Sequence, residues 1–251
     1  MAELILMYHN IAGNTARIDF NEWSPVYDVA ATDFENQMTQ IAESDHQVEL
    51  TFDDGYASMV ESVLPMVQND PSLRCHCFVT TDAIGRAGML TAPELRQLAE
   101  HGVQIGTHSH THTFLQNLSA HGLQDEILQP KNILEQAIGS AVTSMSLPGG
   151  RYDQRTLQFA AKVGYHQVYT SRPGFKKQSL PGHAKLDLLP RWSIDAGTSA
   201  KDFSRLLRFD LAAVAQRKWR YHLGQSARFI LGQNGYHRLW RQVRNNEREA
   251  S

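Results

Sequence analysis

At 251 residues the chain can form one large domain, or one domain with an appendage. Its 41% hydrophobic and 20% charged residues exclude a low-complexity or disordered class, and no stretch approaches the roughly 18 apolar residues of a membrane span. The formal net charge is −2, but Ser199 to Ser251 hold eleven Lys and Arg against four acids, a balance of +7, which leaves −9 for residues 1–198. That shift in composition marks two segments, 1–198 and a basic 199–251.

The opening Met1-Ala2-Glu3-Leu4-Ile5-Leu6-Met7-Tyr8-His9 has no basic n-region, and its apolar run is too short for a signal peptide. The expectation is a cytoplasmic protein. Leu4 to Asn10 reads as a buried strand. Thr32-Asp33-Phe34-Glu35 fits a capping box opening a helix with Phe34, Met38 and Ile41 on one face. Gln47 to Asp53 is a second strand, and Tyr56 to Val67 repeats on a helical period. Arg74 to Val79 is a third strand. It carries the only two cysteines, Cys75 and Cys77, which are too close for an easy disulfide and too few for a thiolate metal site. Thr91-Ala92-Pro93-Glu94 is a stronger capping box, and Gly102 closes its helix. Val103–His108 is a strand, and Ser119 opens a long helical pattern to about Ile138 with a kink expected at Pro130. Val142–Leu147, His166–Thr170 and Leu186–Trp192 complete seven strands.

Strands alternating with helices imply parallel pairing and right-handed crossovers, in a doubly wound sheet or a barrel. Polar residues close almost every strand: His9, Asp53 and Asp54, His108, Pro148-Gly149, Arg191. That favours a barrel, whose functional edge draws on many strand ends. No Gly-rich loop follows the first strand, which argues against a nucleotide fold.

Thr51-Phe52-Asp53-Asp54-Gly55 reads either as a strand leading into an Asp-Gly turn or as a strand leading into a site. Two adjacent acids repel, so a site reading needs a cation or a shared proton. His108-Ser109-His110-Thr111-His112 offers imidazoles four apart, a spacing that suits a bidentate clamp. Two His and a carboxylate form a common catalytic set for Zn²⁺ or Fe²⁺. His110 should point elsewhere.

Thr51-Phe52-Asp53-Asp54-Gly55 together with His108-Ser109-x-x-His112 resembles the first two motifs of the polysaccharide deacetylases, the NodB-homology or carbohydrate esterase family 4 group. The resemblance covers roughly residues 3–195 of this chain. It implies a distorted (β/α)7 barrel that uses a divalent metal, usually zinc with Co²⁺, Ni²⁺ or Fe²⁺ as alternatives, to hydrolyse N- or O-acetyl groups of sugars. Asp53 would be the general base, and Asp54 would bind metal with His108 and His112. The metal would polarise the acetyl carbonyl and activate water, and an acid opposite the base must protonate the amine leaving group.

The third motif of the family, Arg-x-Pro-Tyr, aligns with Ser146-Leu147-Pro148-Gly149. Gly149, with Pro148 beside it, keeps the backbone N–H that helps hold the oxyanion. The arginine that steadies the base is missing. Arg191 could supply that charge from another strand, or could form an ordinary surface ion pair. The usual late Leu-x-His, source of the acid, is not found. Leu6-Met7-Tyr8-His9 is instead similar to the first strand of the circularly permuted poly-N-acetylglucosamine deacetylase branch, which makes His9 the expected acid. Trp23, Tyr27 and Trp192 could stack on sugar rings or belong to the core.

The tail repeats helical apolar patterns, Phe203–Arg208, Phe229-Ile230-Leu231 and Leu239-Trp240, among many Arg. One reading is amphipathic helices packed on the barrel. The other is contact with anionic lipid headgroups at the inner membrane face, or with a lipid-linked glycan. No nucleic-acid module accompanies the charge. The expected function is removal of N-acetyl groups from amino sugars of an oligo- or polysaccharide in a surface, exopolysaccharide or lipid-linked glycan pathway. Two alternatives remain: hydrolysis of a small non-sugar amide, and a glycan-binding barrel without turnover.

Overall fold

A computed structural model of the protein describes residues 3–13, 17–175 and 186–223. Two compact units divide the chain, Met1–Leu207 and Arg208–Ser251. In chain order the strands are β1 (Leu4–Tyr8), β2 (Asn10–Ala12), β3 (Asp28–Ala30), β4 (Val48–Phe52), β5 (Arg74–Val79), β6 (Gln104–Thr107), β7 (Ser144–Ser146), β8 (Gln167–Tyr169), β9 (Asp187–Leu189) and β10 (Trp192–Ser193). The helices are α1 (Ala31–Ala42), α2 (Leu64–Asn69), α3 (Ala92–Glu100), α4 (Ala120–Leu123), α5 (Gln129–Ile138), α6 (Gln154–Lys162) and α7 (Ala200–Leu207).

Eight strands form one all-parallel sheet in the order β10-β1-β4-β5-β6-β7-β8-β9. This is the distorted barrel expected of seven alternating units, with the last strand split in two. Pro190 has no N–H for the ladder, and the Arg191 N–H donates to the Arg172 carbonyl at 3.0 Å. The chain therefore pairs with β8 through β9 and with β1 through β10. The two edges of the sheet are joined by chain continuity rather than by a ladder.

Alternation assigns the two faces. Ile5, Phe78, Tyr169 and Leu189 form a buried cluster, although β1, β5 and β8 are not neighbours, so they meet across the barrel interior. On the outer face the Tyr8 ring packs against Phe34 of α1 and Phe52, and its hydroxyl donates to Gln37 at 2.8 Å. Burying each of these large apolar side chains contributes about 1.5–3 kcal/mol.

Local signals hold where the side chain itself makes the bond. Thr91 and Glu94 form the full capping box of α3, and Ser119 caps α4 through the Gly122 N–H. Thr32 does not cap α1, which starts after Ala30 without a side-chain cap. There β3, paired with β2 as a small parallel sheet, runs straight into the helix, so strand pairing fixes the start. The disturbance expected at Pro130 is a π-helical turn over Gln124–Leu128, and a second π turn, Met59–Val63, precedes Pro65. Each proline removes one helical N–H donor, and a wider turn absorbs the loss.

Helix α7 buries Phe203, Leu206 and Leu207 and packs on α1, so the apolar pattern at 203–208 lies with the barrel. A second helix spans residues 211–223. Phe229-Ile230-Leu231 and Leu239-Trp240 lie outside the described residues. No helix among the described residues is long and apolar enough to cross a membrane.

Candidate active site

At the C-terminal end of β4 the chain leaves the sheet at Asp53, and Asp54 takes a positive φ of 76°. This is a strained region for a residue other than glycine. The turn breaks the pleat, so two consecutive carboxylates enter one pocket instead of opposite faces. Asp53 and Asp54 are 2% and 4% exposed.

Asp53 meets a buried arginine. Arg191 is 0% exposed and donates from both guanidinium ends, to Asp53 Oδ1 at 2.7 Å and Oδ2 at 2.8 Å. Its remaining donors reach Ser146 Oγ at 2.7 Å, Thr51 Oγ1 at 3.1 Å and the Thr170 carbonyl at 3.1 Å. The Phe78 and Tyr169 rings lie 5.6 and 5.9 Å from the guanidinium. Ser146 Oγ in turn donates to Asp53 Oδ2 at 3.1 Å. The bidentate geometry is that of the strongest carboxylate pairs, and no donor is wasted. Burial alone would raise the Asp53 carboxyl, but the Arg191 charge and hydrogen bonds hold it well below the usual carboxylate range. Asp53 is thus an ionised carboxylate in a dry site. The ordinary surface ion pair envisaged for Arg191 is replaced by a buried one.

Asp54, His108 and His112 offer donor atoms within 4.8 Å of one another. Asp54 Oδ1 lies 3.5 Å from His108 Nε2 and 3.4 Å from His112 Nε2. His108 Nδ1 lies 3.1 Å from the Ser146 carbonyl. That bond places the ring proton on Nδ1 and leaves the Nε2 lone pair aimed at Asp54. Burial pushes His108 down to about 3 and lowers His112, so both rings are neutral, the form that binds metal. Burial also pushes the Asp54 carboxyl up to about 7, with His9 opposing and Asp53 adding to the rise. Asp54 Oδ1 is buried with no hydrogen-bond partner. An orphaned carboxylate oxygen facing two imidazole lone pairs is short of a cation, so these residues fit a divalent metal.

The loop carrying the histidines is held from behind. Glu126, 8% exposed, accepts from the His110 and Thr111 N–H groups, both at 3.0 Å, and from Thr111 Oγ1 at 2.7 Å. Thr80 Oγ1 donates to the His108 carbonyl at 3.2 Å, and the Thr81 and Asp82 N–H groups donate to the Ser109 and His110 carbonyls. Ser109 and His112 both sit at φ 62°, a conformation these bonds sustain. His110 turns away, with Nδ1 2.8 Å from Thr81 Oγ1. Sequence patterning does not single out Glu126. Its one signal is an acid on the same helical face as Leu123 and Pro130. Glu126→Ala would strand three donors and is expected to weaken metal affinity by about 10–100-fold, read by competition with a chromogenic chelator.

His9 follows β1 with its ring stacked on Tyr27, centroids 4.3 Å apart at 25°. Its Nδ1 is buried and unpartnered. Burial lowers its pKa, and the Asp54 and Asp53 charges pull it partly back. Tyr27 therefore braces His9 with one face of its ring. Trp23 stays 40% exposed, with Nε1 3.2 Å from both Asp28 oxygens. Phe20 meets the rings of Tyr56 and His112 edge-on.

Pro148-Gly149-Gly150 forms a short turn after β7, with Gly149 at φ 59°. A Cβ there would lie 2.6 Å from the Phe114 ring, so Phe114 fills the space a side chain would take. The Arg151 guanidinium covers the same ring at 4.4 Å. Trp192, expected beside substrate, is misplaced by that reading. It pairs in register with Leu6, on the outer face opposite Arg191, and is 1% exposed against Phe175. Arg191, just before β10, points inside, and Trp192, the first residue of β10, points outside.

Comparisons with known proteins agree with this architecture. The polysaccharide deacetylase family model matches residues 40–168. YxkH of Bacillus subtilis (strain 168) is 29% identical over 181 residues, which covers 68% of this chain and 64% of that protein, so the chain spans less than two thirds of its length. The Streptococcus pyogenes deacetylase PplD, solved in complex with acetate, superposes with a TM-score of 0.67 at 22% identity, covering 83% of this chain and 97% of that one. IcaB from Ammonifex degensii gives 0.64 at 15% identity, covering 82% and 96%. With more than half of its length matched by the family model, the chain belongs to the polysaccharide deacetylase family.

Proposed function

We propose that the protein hydrolyses N-acetyl groups of amino sugars in a surface, exopolysaccharide or lipid-linked glycan, with zinc as its metal. The observation that carries this reading is the division of labour between adjacent acids. Asp53 is held ionised by Arg191 and Ser146, while Oδ1 of Asp54 faces two neutral imidazoles without a hydrogen bond of its own. Family membership supports an acetylated carbohydrate as the substrate class.

Asp54, His108 and His112 would hold a divalent cation, which would supply Lewis-acid polarisation of the acetyl carbonyl. Asp53, beside that set, takes a proton from the attacking water. The Gly149 backbone N–H, at the turn after β7, is the candidate donor to the oxyanion. His9, braced by Tyr27, acts in its imidazolium form: it hands a proton to the leaving nitrogen and is recharged by the proton that Asp53 took from water, so that water and amide become acetate and amine. The buried setting strengthens each of these interactions relative to water.

Acetate release from N-acetylglucosamine oligomers is the direct test. Zinc-loaded protein should release acetate, chelator should abolish the release, and added Zn²⁺ should restore it. Metal bound at stoichiometry without acetate from any acetylated sugar would favour the glycan-binding reading. Activity on a non-sugar amide alone would favour the small-amide reading.

A further inference from the structure

In the second compact unit, the helix over residues 211–223 displays an apolar stripe. Asp210 caps it, its side chain accepting from the Ala212 and Ala213 N–H groups at 2.8 and 3.1 Å. One face is buried through Ala213 and Val214. Another is open: Leu211 is 83% exposed, Trp219 63% and Leu223 47%. At 100° per residue, Leu211, Ala215, Trp219 and Leu223 fall within an arc of about 120° that also takes in Ala212 and the exposed His222. Lys218 lies about 20° outside one edge of this arc and Arg220 about 60° outside the other, with Gln216 between, all exposed.

We infer that this face docks on an anionic lipid surface. Three features select that partner. A stripe of two leucines and a tryptophan is large for an exposed face that water alone must cover. Tryptophan suits the headgroup level, with an apolar ring and one N–H donor. Cations on both borders of the arc match anionic headgroups flanking an inserted apolar wedge, and residues 199–251 as a whole carry +7. A protein partner would be expected to complement the basic borders with acids, and a second copy of this helix would bring like charges together. None of these residues belongs to the site around Asp53.

The test uses the full chain and sedimentation with phosphatidylcholine vesicles, with and without phosphatidylglycerol. Wild type should sediment with the anionic vesicles and be released by high salt. The W219E/L223E variant should lose about tenfold or more of that partitioning while keeping its helical circular dichroism and its acetate release from a soluble oligomer. Equal partitioning of variant and wild type, or no preference for anionic vesicles, would overturn the inference. So would a concentration-dependent dimer by analytical ultracentrifugation that the same substitutions dissolve, because a second copy would then own the face. Vesicle binding is read without any turnover, so its failure is distinct from failure of the deacetylase reading.

Discussion

Asp53→Asn is expected to lower turnover of an N-acetylated oligosaccharide by about 10²–10⁴-fold while leaving metal stoichiometry unchanged. The substitution keeps the shape of the side chain and removes the ionised oxygen pair beside the metal donors. Asp54, His108 and His112 are untouched, and His108 keeps its bond to the Ser146 carbonyl. Two measurements on one preparation separate the possible roles: metal content by elemental analysis, and kcat by acetate release. A large fall in both would make Asp53 a metal ligand, and an unchanged kcat would remove it as the base. The amide nitrogen of Asn must also face a guanidinium N–H, so the variant is assayed well below its melting temperature.

The strands and their chemistry were legible because apolar periodicity locates a strand and a polar residue marks where it ends. That logic placed His9, Asp53, His108 and Gly149 on one edge of the barrel. Two adjacent pairs show where it stops. Asp53 and Asp54 share a pocket because Asp54 turns to a positive φ. Arg191 lies just before β10 and Trp192 opens it, and the two side chains point to opposite sides. Both pairs look alike as sequence, and only the backbone conformation separates them. The same limit hid Glu126 and Ser146, whose roles are bonds to a loop and to another side chain made across 15 to 93 residues of chain. The start of α1 was missed for a related reason, since a strand pair, not a cap, decides it.

The buried pairing of Arg191 with Asp53 leads to the largest expected loss of stability. Arg191→Met should cost about 3–5 kcal/mol, because it leaves the Asp53 carboxylate buried without its cation. Asp53→Asn combined with Arg191→Met removes both charges and should recover much of that loss, since a buried ion pair often matches a well-packed apolar substitute. Urea denaturation in the presence of chelator reads all three variants against wild type. The pH dependence has a definite sign. In wild type the carboxyl is held below its unfolded value, so its contribution is present above about pH 4 and lost as pH falls through the folded value. Without the guanidinium, burial is largely unopposed, and the folded pKa moves above the unfolded one. Stability of the Arg191→Met protein should then improve relative to wild type as the solution is acidified, and the acid limb of its kcat/KM profile should move to higher pH. A stability gap that stays constant across pH would assign the loss to packing alone, and an unmoved acid limb would mean that Arg191 does not set the charge of the base.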